Sequence, residues 1–206
     1  TSQMLDLENV EWQKDIFALS GKNEKILPPI VNCATVVGEY NGIKVIKVAG
    51  HDTQCAVSAM PCDENITNAF LSCGTWSLIG CESDLPILTE KSMNDELSNE
   101  LGANGKINYL KNISGLWLIQ EIRRNFRADG KDYSYNDMEQ LARDAKPFQF
   151  FIDPDYDLFA QPGNMPDKIA DYCEKTGQGR PSTDGELVRC IYESLAFKYK
   201  YAIDQI

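Results

Sequence analysis

Gly50-His51-Asp52-Thr53 sets an imidazole, a carboxylate and a hydroxyl side by side. The β-branched stretch 44–49 (KVIKVA) precedes it, and the segment 53–60 that follows stops at Pro61, so it reads as a strand-to-helix junction. A carboxylate at a helix N-terminus is stabilised by the exposed N–H groups and the dipole there. It offers an acceptor that can orient and deprotonate a substrate hydroxyl. A plainer reading stands beside this one, in which Asp52 only caps the helix and His51 is a loop side chain.

A second cluster, Ser72-Cys73-Gly74-Thr75-Trp76-Ser77, puts small hydroxyl residues around a glycine. Backbone N–H groups and the Thr75 hydroxyl at such a turn can hold the outer phosphates of a nucleotide; a tight hairpin with Thr75 in the ladder needs no ligand at all. The chain contains no GxxxxGK[ST] loop and no complete GxGxxG. Its seven cysteines (Cys33, Cys55, Cys62, Cys73, Cys81, Cys173 and Cys190) include no CxxC pair, and His51 is the one histidine. No zinc signature follows, no metal-binding residue is assigned, and buried reduced thiols are expected. Cys173 and Cys190 flank a turn-rich stretch whose neighbouring helices can bring them together, although a reducing compartment keeps such a pair open. A thiol hydrolase would have to activate Cys55 or Cys73 with His51.

The elements that must position these residues read as follows. Strands are expected at 69–73 and 75–81, meeting at Gly74, with a weaker strand at 106–110. Residues 112–126 are apolar on most sides (Ile113, Leu116, Trp117, Leu118, Ile119, Ile122), which predicts a helix buried between layers. Ser134 caps a helix carrying Met138, Leu141, Ala142 and Ala145, and 150–153 is a strand candidate ended by Pro154. Pro166 opens a further helix with Ile169, Ala170 and Cys173 on one face and Gly177 at its end. Thr183-x-x-Glu186 is a capping box that launches Leu187, Ile191, Leu195, Tyr199, Ala202 and Ile206 at steps of three and four. Strands interleaved with helices make an α/β or α+β layered architecture. The last stripe meets no stop signal and Thr1 stands first, so the chain reads as a fragment; a boundary near Gly50 separates 1–49 from 50–206.

Charge narrows the function classes. With 31 acidic against 20 basic residues and a net charge of −11, the chain repels a phosphate backbone, so no nucleic-acid partner is expected. No apolar run approaches the roughly 18 residues of a membrane span and no signal peptide opens the chain, so no membrane partner is expected and a cytoplasmic home is the default.

GHDT, SCGTWSL, YLKNISGLWLIQEIRR, IDPDY and DYCEKTGQ, in this order and spacing, resemble the rhamnulokinase branch of the FGGY carbohydrate kinases. The resemblance implies an α/β, ribonuclease-H-like lobe related to actin, with a mixed sheet flanked by helices. Residues 1–49 would be the tail of an N-terminal lobe and 50–206 a C-terminal lobe ending before the adenosine-binding glycine motif. It also implies transfer of the γ-phosphate of ATP, with Mg²⁺, to a hydroxyl of L-rhamnulose in rhamnose catabolism, or of another ketose or polyol such as fuculose or xylulose. Asp52 falls on the family's proton acceptor. His51, Thr53 and Asn112 fall on sugar-contacting positions, and Thr75 and Gln120 on ATP-binding ones. On a single helix Asn112 and Gln120 would share a similar face about 12 Å apart. The family's N-terminal phosphate loop has no counterpart here, so the isolated chain is expected not to turn over ATP. A non-catalytic sugar- or nucleotide-binding domain is the other reading of the same fold.

Overall fold

β1 (Leu5–Asp6) and β2 (Glu11–Trp12) pair antiparallel ahead of α1 (Lys14–Ala18), and a 3-10 turn at Glu24–Ile26 follows. β3 (Val36–Tyr40) and β4 (Ile43–Ile46) form a hairpin closed by Asn41-Gly42, whose φ values of 51° and 79° are those a two-residue type I′ turn demands. The strand expected over 44–49 is this β4. The computed structural model describes residues 3–63, 66 and 68–206; Thr1 lies outside them.

Next come α2 (Asp52–Ser58), β5 (Ala69–Cys73), β6 (Trp76–Ser83), α3 (Glu90–Asn94) and β7 (Ser98–Leu101). A 3-10 turn at Ala103–Gly105 leads into β8 (Ile107–Ser114), and the rest is helical: α4 (Trp117–Ala128), α5 (Tyr135–Asp144), α6 (Asp157–Ala160), α7 (Met165–Lys175) and α8 (Asp184–Gln205). One sheet has the strand order β5-β6-β8-β7. A two-residue link joins β5 to β6, which only antiparallel neighbours allow, and β7 runs antiparallel to β8 with Glu100 opposite Asn108. This four-stranded antiparallel sheet with its helices is of the ribonuclease-H-like α/β class that the resemblance implied.

Two expected elements differ. The helix expected over 112–126 is a strand as far as Ser114 and a helix only from Trp117. Past Lys111, Asn112 is exposed, Ile113 buried and Ser114 half-buried, and an alternation that short does not separate a strand end from a helix start. Gly115 makes the break, because a Cβ there would stand 2.5 Å from Ser77 Oγ and 2.6 Å from the Gly74 carbonyl oxygen. Asn112 and Gln120 therefore do not share a helix face. The strand expected at 150–153 is irregular backbone outside any ladder. Its N–H groups are taken by side chains instead: Phe151 donates to Gln178 Oε1 at 2.7 Å and Ile152 to Ser194 Oγ at 2.9 Å.

Two compact units divide the described chain. The first comprises the residues up to Ser72 with Gly80–Lys111 and Ile206, and the second comprises Cys73–Ile79 with Asn112–Gln205. In the second, Leu118, Ile122 and Phe126 of α4 pack with Met138 of α5, Met165 and Ile169 of α7, and Val188 and Ile191 of α8 in one core. Each such fully buried side chain contributes about 1.5–3 kcal/mol. The predicted caps are in place: Ser134 and Asp137 form a reciprocal capping box on α5, and Thr183 Oγ1 accepts from Glu186 N ahead of α8. Ser194 is buried, and it donates to the Cys190 carbonyl at 2.6 Å while accepting from Ile152. Ser194→Ala strands the Ile152 N–H and is expected to cost about 1–3 kcal/mol; an unchanged urea midpoint would contradict that accounting.

Candidate active site

At the head of α2, the N-cap is His51, without a side-chain capping bond, and Asp52 is the first helical residue. This corrects the plainer reading, in which Asp52 was the cap. Gly50, at φ +150°, turns the chain into the helix, and a side chain on it would press on Gln54 Cβ at 3.3 Å. Asp52 Oδ1 accepts from Thr53 N at 2.8 Å, and its side chain is otherwise fully exposed. Thr53 is half-buried beside it.

Behind Asp52, His51 is joined to polar groups that the sequence reading did not single out, namely Gln54, Glu100 and Asn108. His51 Nδ1 is 3.6 Å from Asp52 Oδ1, and its Nε2 is 3.0 Å from Glu100 Oε2. Glu100 on β7 also accepts from Gln54 Nε2, and Gln54 Oε1 in turn accepts from Asn108 Nδ2. Gln54 is 2% exposed and Asn108 1%, so both amides are oriented in the interior. Register explains the convergence: Glu100 and Asn108 face each other across β7 and β8, and Gln54, one turn before the buried Val57, comes in from α2. The signal in the sequence was a glutamine on the apolar face of a short helix, which is uncommon unless its amide is fully bonded.

In the second unit, Thr75 and Gln120 come together although 45 residues separate them: Thr75 Oγ1 is 3.3 Å from Gln120 Nε2 and 3.4 Å from its Oε1. Their turn is fastened to the start of α4. Gly115 N and Trp117 N each donate to the Thr75 carbonyl at 3.1 Å, and Leu116 N to the Gly74 carbonyl at 2.8 Å. Loop carbonyls thus satisfy the N–H groups that a helix start leaves unpaired. Gly74 N is taken by the Trp76 carbonyl, so this turn presents the exposed Thr75 hydroxyl beside the half-buried Gln120. Beneath it, Tyr199 OH is 2.7 Å from Ser77 Oγ and 3.6 Å from Cys73 Sγ. Burial pushes the Tyr199 phenol up to about 12, so it stays a neutral donor.

Asn112 is exposed on β8. Two residues on, Ser114 N donates to Asp155 Oδ1 at 2.7 Å, and Asp155 and Asp153 pair with Lys198 of α8 at 3.0 and 2.8 Å. The acidic IDPDY segment is therefore a tether between a strand end and the last helix. Burial pulls the Lys198 ammonium down, and its bonds to Asp153 and Asp155 outweigh that and hold it above its ordinary range.

All seven cysteines are free thiols. Cys173 and Cys190 are buried and share a hydrogen bond, which holds Cys173 below the usual thiol range and, with burial, pushes Cys190 above it. The Cys55 thiol turns to the Gly50 carbonyl at 3.9 Å, while both nitrogens of His51 face carboxylates. That arrangement leaves Cys55 without an activating imidazole and weighs against a thiol hydrolase there. Among the described residues no three His, Cys, Asp or Glu side chains converge as metal ligands, and no helix is long and apolar enough to cross a membrane.

The description "FGGY family of carbohydrate kinases, C-terminal domain" matches residues 69–206. The rhamnulokinase of Bacteroides thetaiotaomicron is 44% identical over 165 residues, covering 80% of this chain and 33% of that protein. That of Oceanobacillus iheyensis is 37% identical over 215 aligned residues, covering 100% of this chain and 44% of that protein. The rhamnulokinase of Bacillus subtilis is 44% identical over 163 residues, 79% of this chain and 33% of its own length. The chain spans about a third to under a half of these curated relatives, 33–44% of their length.

Proposed function

Since this chain belongs to the FGGY family of carbohydrate kinases and carries the ribonuclease-H-like α/β fold of its C-terminal domain, we propose that the whole protein phosphorylates L-rhamnulose. One observation carries the catalytic half of this reading: the Asp52 carboxylate is fully exposed at the start of α2, while the imidazole beside it is held from behind. Asp52 takes the proton of the attacking sugar hydroxyl, and His51, Thr53 and Asn112 orient the sugar. Phosphoryl transfer proceeds through a loose transition state, so alignment and charge neutralisation supply most of the catalysis.

Thr75 and Gln120 hold the nucleotide. Their hydroxyl and amide suit ATP, whose oxygens and nitrogens accept and donate. ATP, used with Mg²⁺, would supply the phosphoryl group. Residues 1–49 belong to the end of a first lobe and 50–206 to the second in this reading, which acts in the cytoplasm and has no nucleic-acid partner. A segment covering 33–44% of its relatives is expected not to turn over ATP alone.

The test is a coupled ATP-consumption assay on a protein of the relatives' full length, offered L-rhamnulose, L-fuculose, xylulose and glycerol. Preference for L-rhamnulose supports the reading, preference for another acceptor reassigns the substrate, and no turnover with any of them removes it. In the same protein Gln120→Ala is expected to raise the KM for ATP about three- to tenfold, the worth of one hydrogen bond, with the sugar KM unchanged. An equal rise in both constants would place Gln120 elsewhere in the mechanism.

A further inference from the structure

We infer that Glu100 is a positioning residue that fixes how His51 meets the sugar, and that it does so as the end of a one-way hydrogen-bond relay from Asn108 through Gln54. This rests on the kinase reading above, in which His51 faces the substrate. The direction of the relay follows from chemistry. An ionised carboxylate only accepts, so Gln54 must turn its NH₂ to Glu100 and its oxygen to Asn108, which must answer with its own NH₂. Asn108 is 1% exposed and bonds only through this NH₂, its Oδ1 having no hydrogen-bond partner, and Gly102 leaves the room, since a Cβ there would come within 3.0 Å of Asn108 Nδ2.

The same carboxylate oxygen takes the His51 Nε2 hydrogen at 3.0 Å. With Nε2 engaged by Glu100, the ring is turned so that Nδ1 stands 3.6 Å from Asp52 Oδ1. Glu100 thereby fixes the imidazole with Nδ1 presented beside the carboxylate that takes the sugar proton, where it meets the sugar.

A double-mutant cycle on the full-length kinase tests this. Glu100→Ala is expected to raise the KM for the ketose about tenfold and leave the KM for ATP unchanged, as loss of a charge-assisted hydrogen bond on one substrate's side requires. Glu100→Gln, whose amide oxygen can still accept from both partners, is expected to stay within about threefold of wild type. In a His51→Ala background Glu100→Ala is expected to add less than about twofold, because its effect passes through the imidazole. The same factor in both backgrounds, or an equal rise in the ATP constant, overturns the inference and leaves Glu100 a structural residue.

If no ketose is phosphorylated, the kinase reading fails by itself, and the imidazole ¹⁵N resonances of His51, the single histidine of the 206-residue chain, decide the inference alone. A displaced Nε2 resonance in Glu100→Ala supports it, and superimposable spectra overturn it.

Discussion

Asp52→Asn in the full-length kinase lowers kcat about 10²- to 10⁴-fold, the range expected for loss of a positioned general base, and leaves the KM for ATP near its wild-type value. The substitution is chosen to spare the structure. Asparagine keeps the oxygen that accepts from Thr53 N at 2.8 Å, so the first turn of α2 retains its local bond. The side chain is fully exposed, so no buried charge is removed and no cavity forms. What disappears is the capacity to take a proton. Initial rates at saturating ATP and sugar, with a melting curve on the same preparation, separate the two effects; near-wild-type turnover would remove Asp52 as the base.

Gly115→Ala is expected to destabilise the fold by about 1–3 kcal/mol, as overpacking of a tight site does, and to raise the KM for ATP more than the KM for sugar. The added methyl would stand 2.5 Å from Ser77 Oγ, 2.6 Å from the Gly74 carbonyl oxygen and 2.7 Å from Ser77 N. Two of these three are backbone atoms, so the turn itself must move. That turn carries Thr75, and the bonds from Gly115, Leu116 and Trp117 into it are what set Thr75 against Gln120. Thermal unfolding and the two Michaelis constants measure the effect. An unshifted melting temperature with an unchanged ATP constant would mean that the turn is free to yield.

The helical half of the molecule was largely legible because its signals are local. Ser134 with Asp137 and Thr183 with Glu186 mark helix starts through bonds between near neighbours, Pro166 stands in the first turn of α7 and Gly177 just past its end, and the stripe from Leu187 to Ala202 has the helical period. The segment 112–116 was misread for the opposite reason: a strand was expected only at 106–110, and Asn112–Ser114 is too short a stretch to show a period of two before α4 begins. Only the close approach of Gly115 to the turn below it separates the strand that holds Asn112 from the helix that holds Gln120. Residues 150–153 failed similarly, since a strand needs a ladder partner and here Gln178 and Ser194 take that part.

The sequence by itself determined the residue types and order that mark a carbohydrate kinase, namely GHDT, SCGTWSL and the LKNI-to-Gln120 segment, and it singled out Asp52 as the proposed proton acceptor. Tertiary structure alone decided what stands behind that carboxylate. His51, Gln54, Glu100 and Asn108 lie up to 57 residues apart in the chain and are joined only by the register that sets Glu100 opposite Asn108, with α2 delivering Gln54 between them. Motif spacing reports chemistry carried by neighbours in sequence, whereas buried polar relays are assembled by pairing register, which no local pattern encodes.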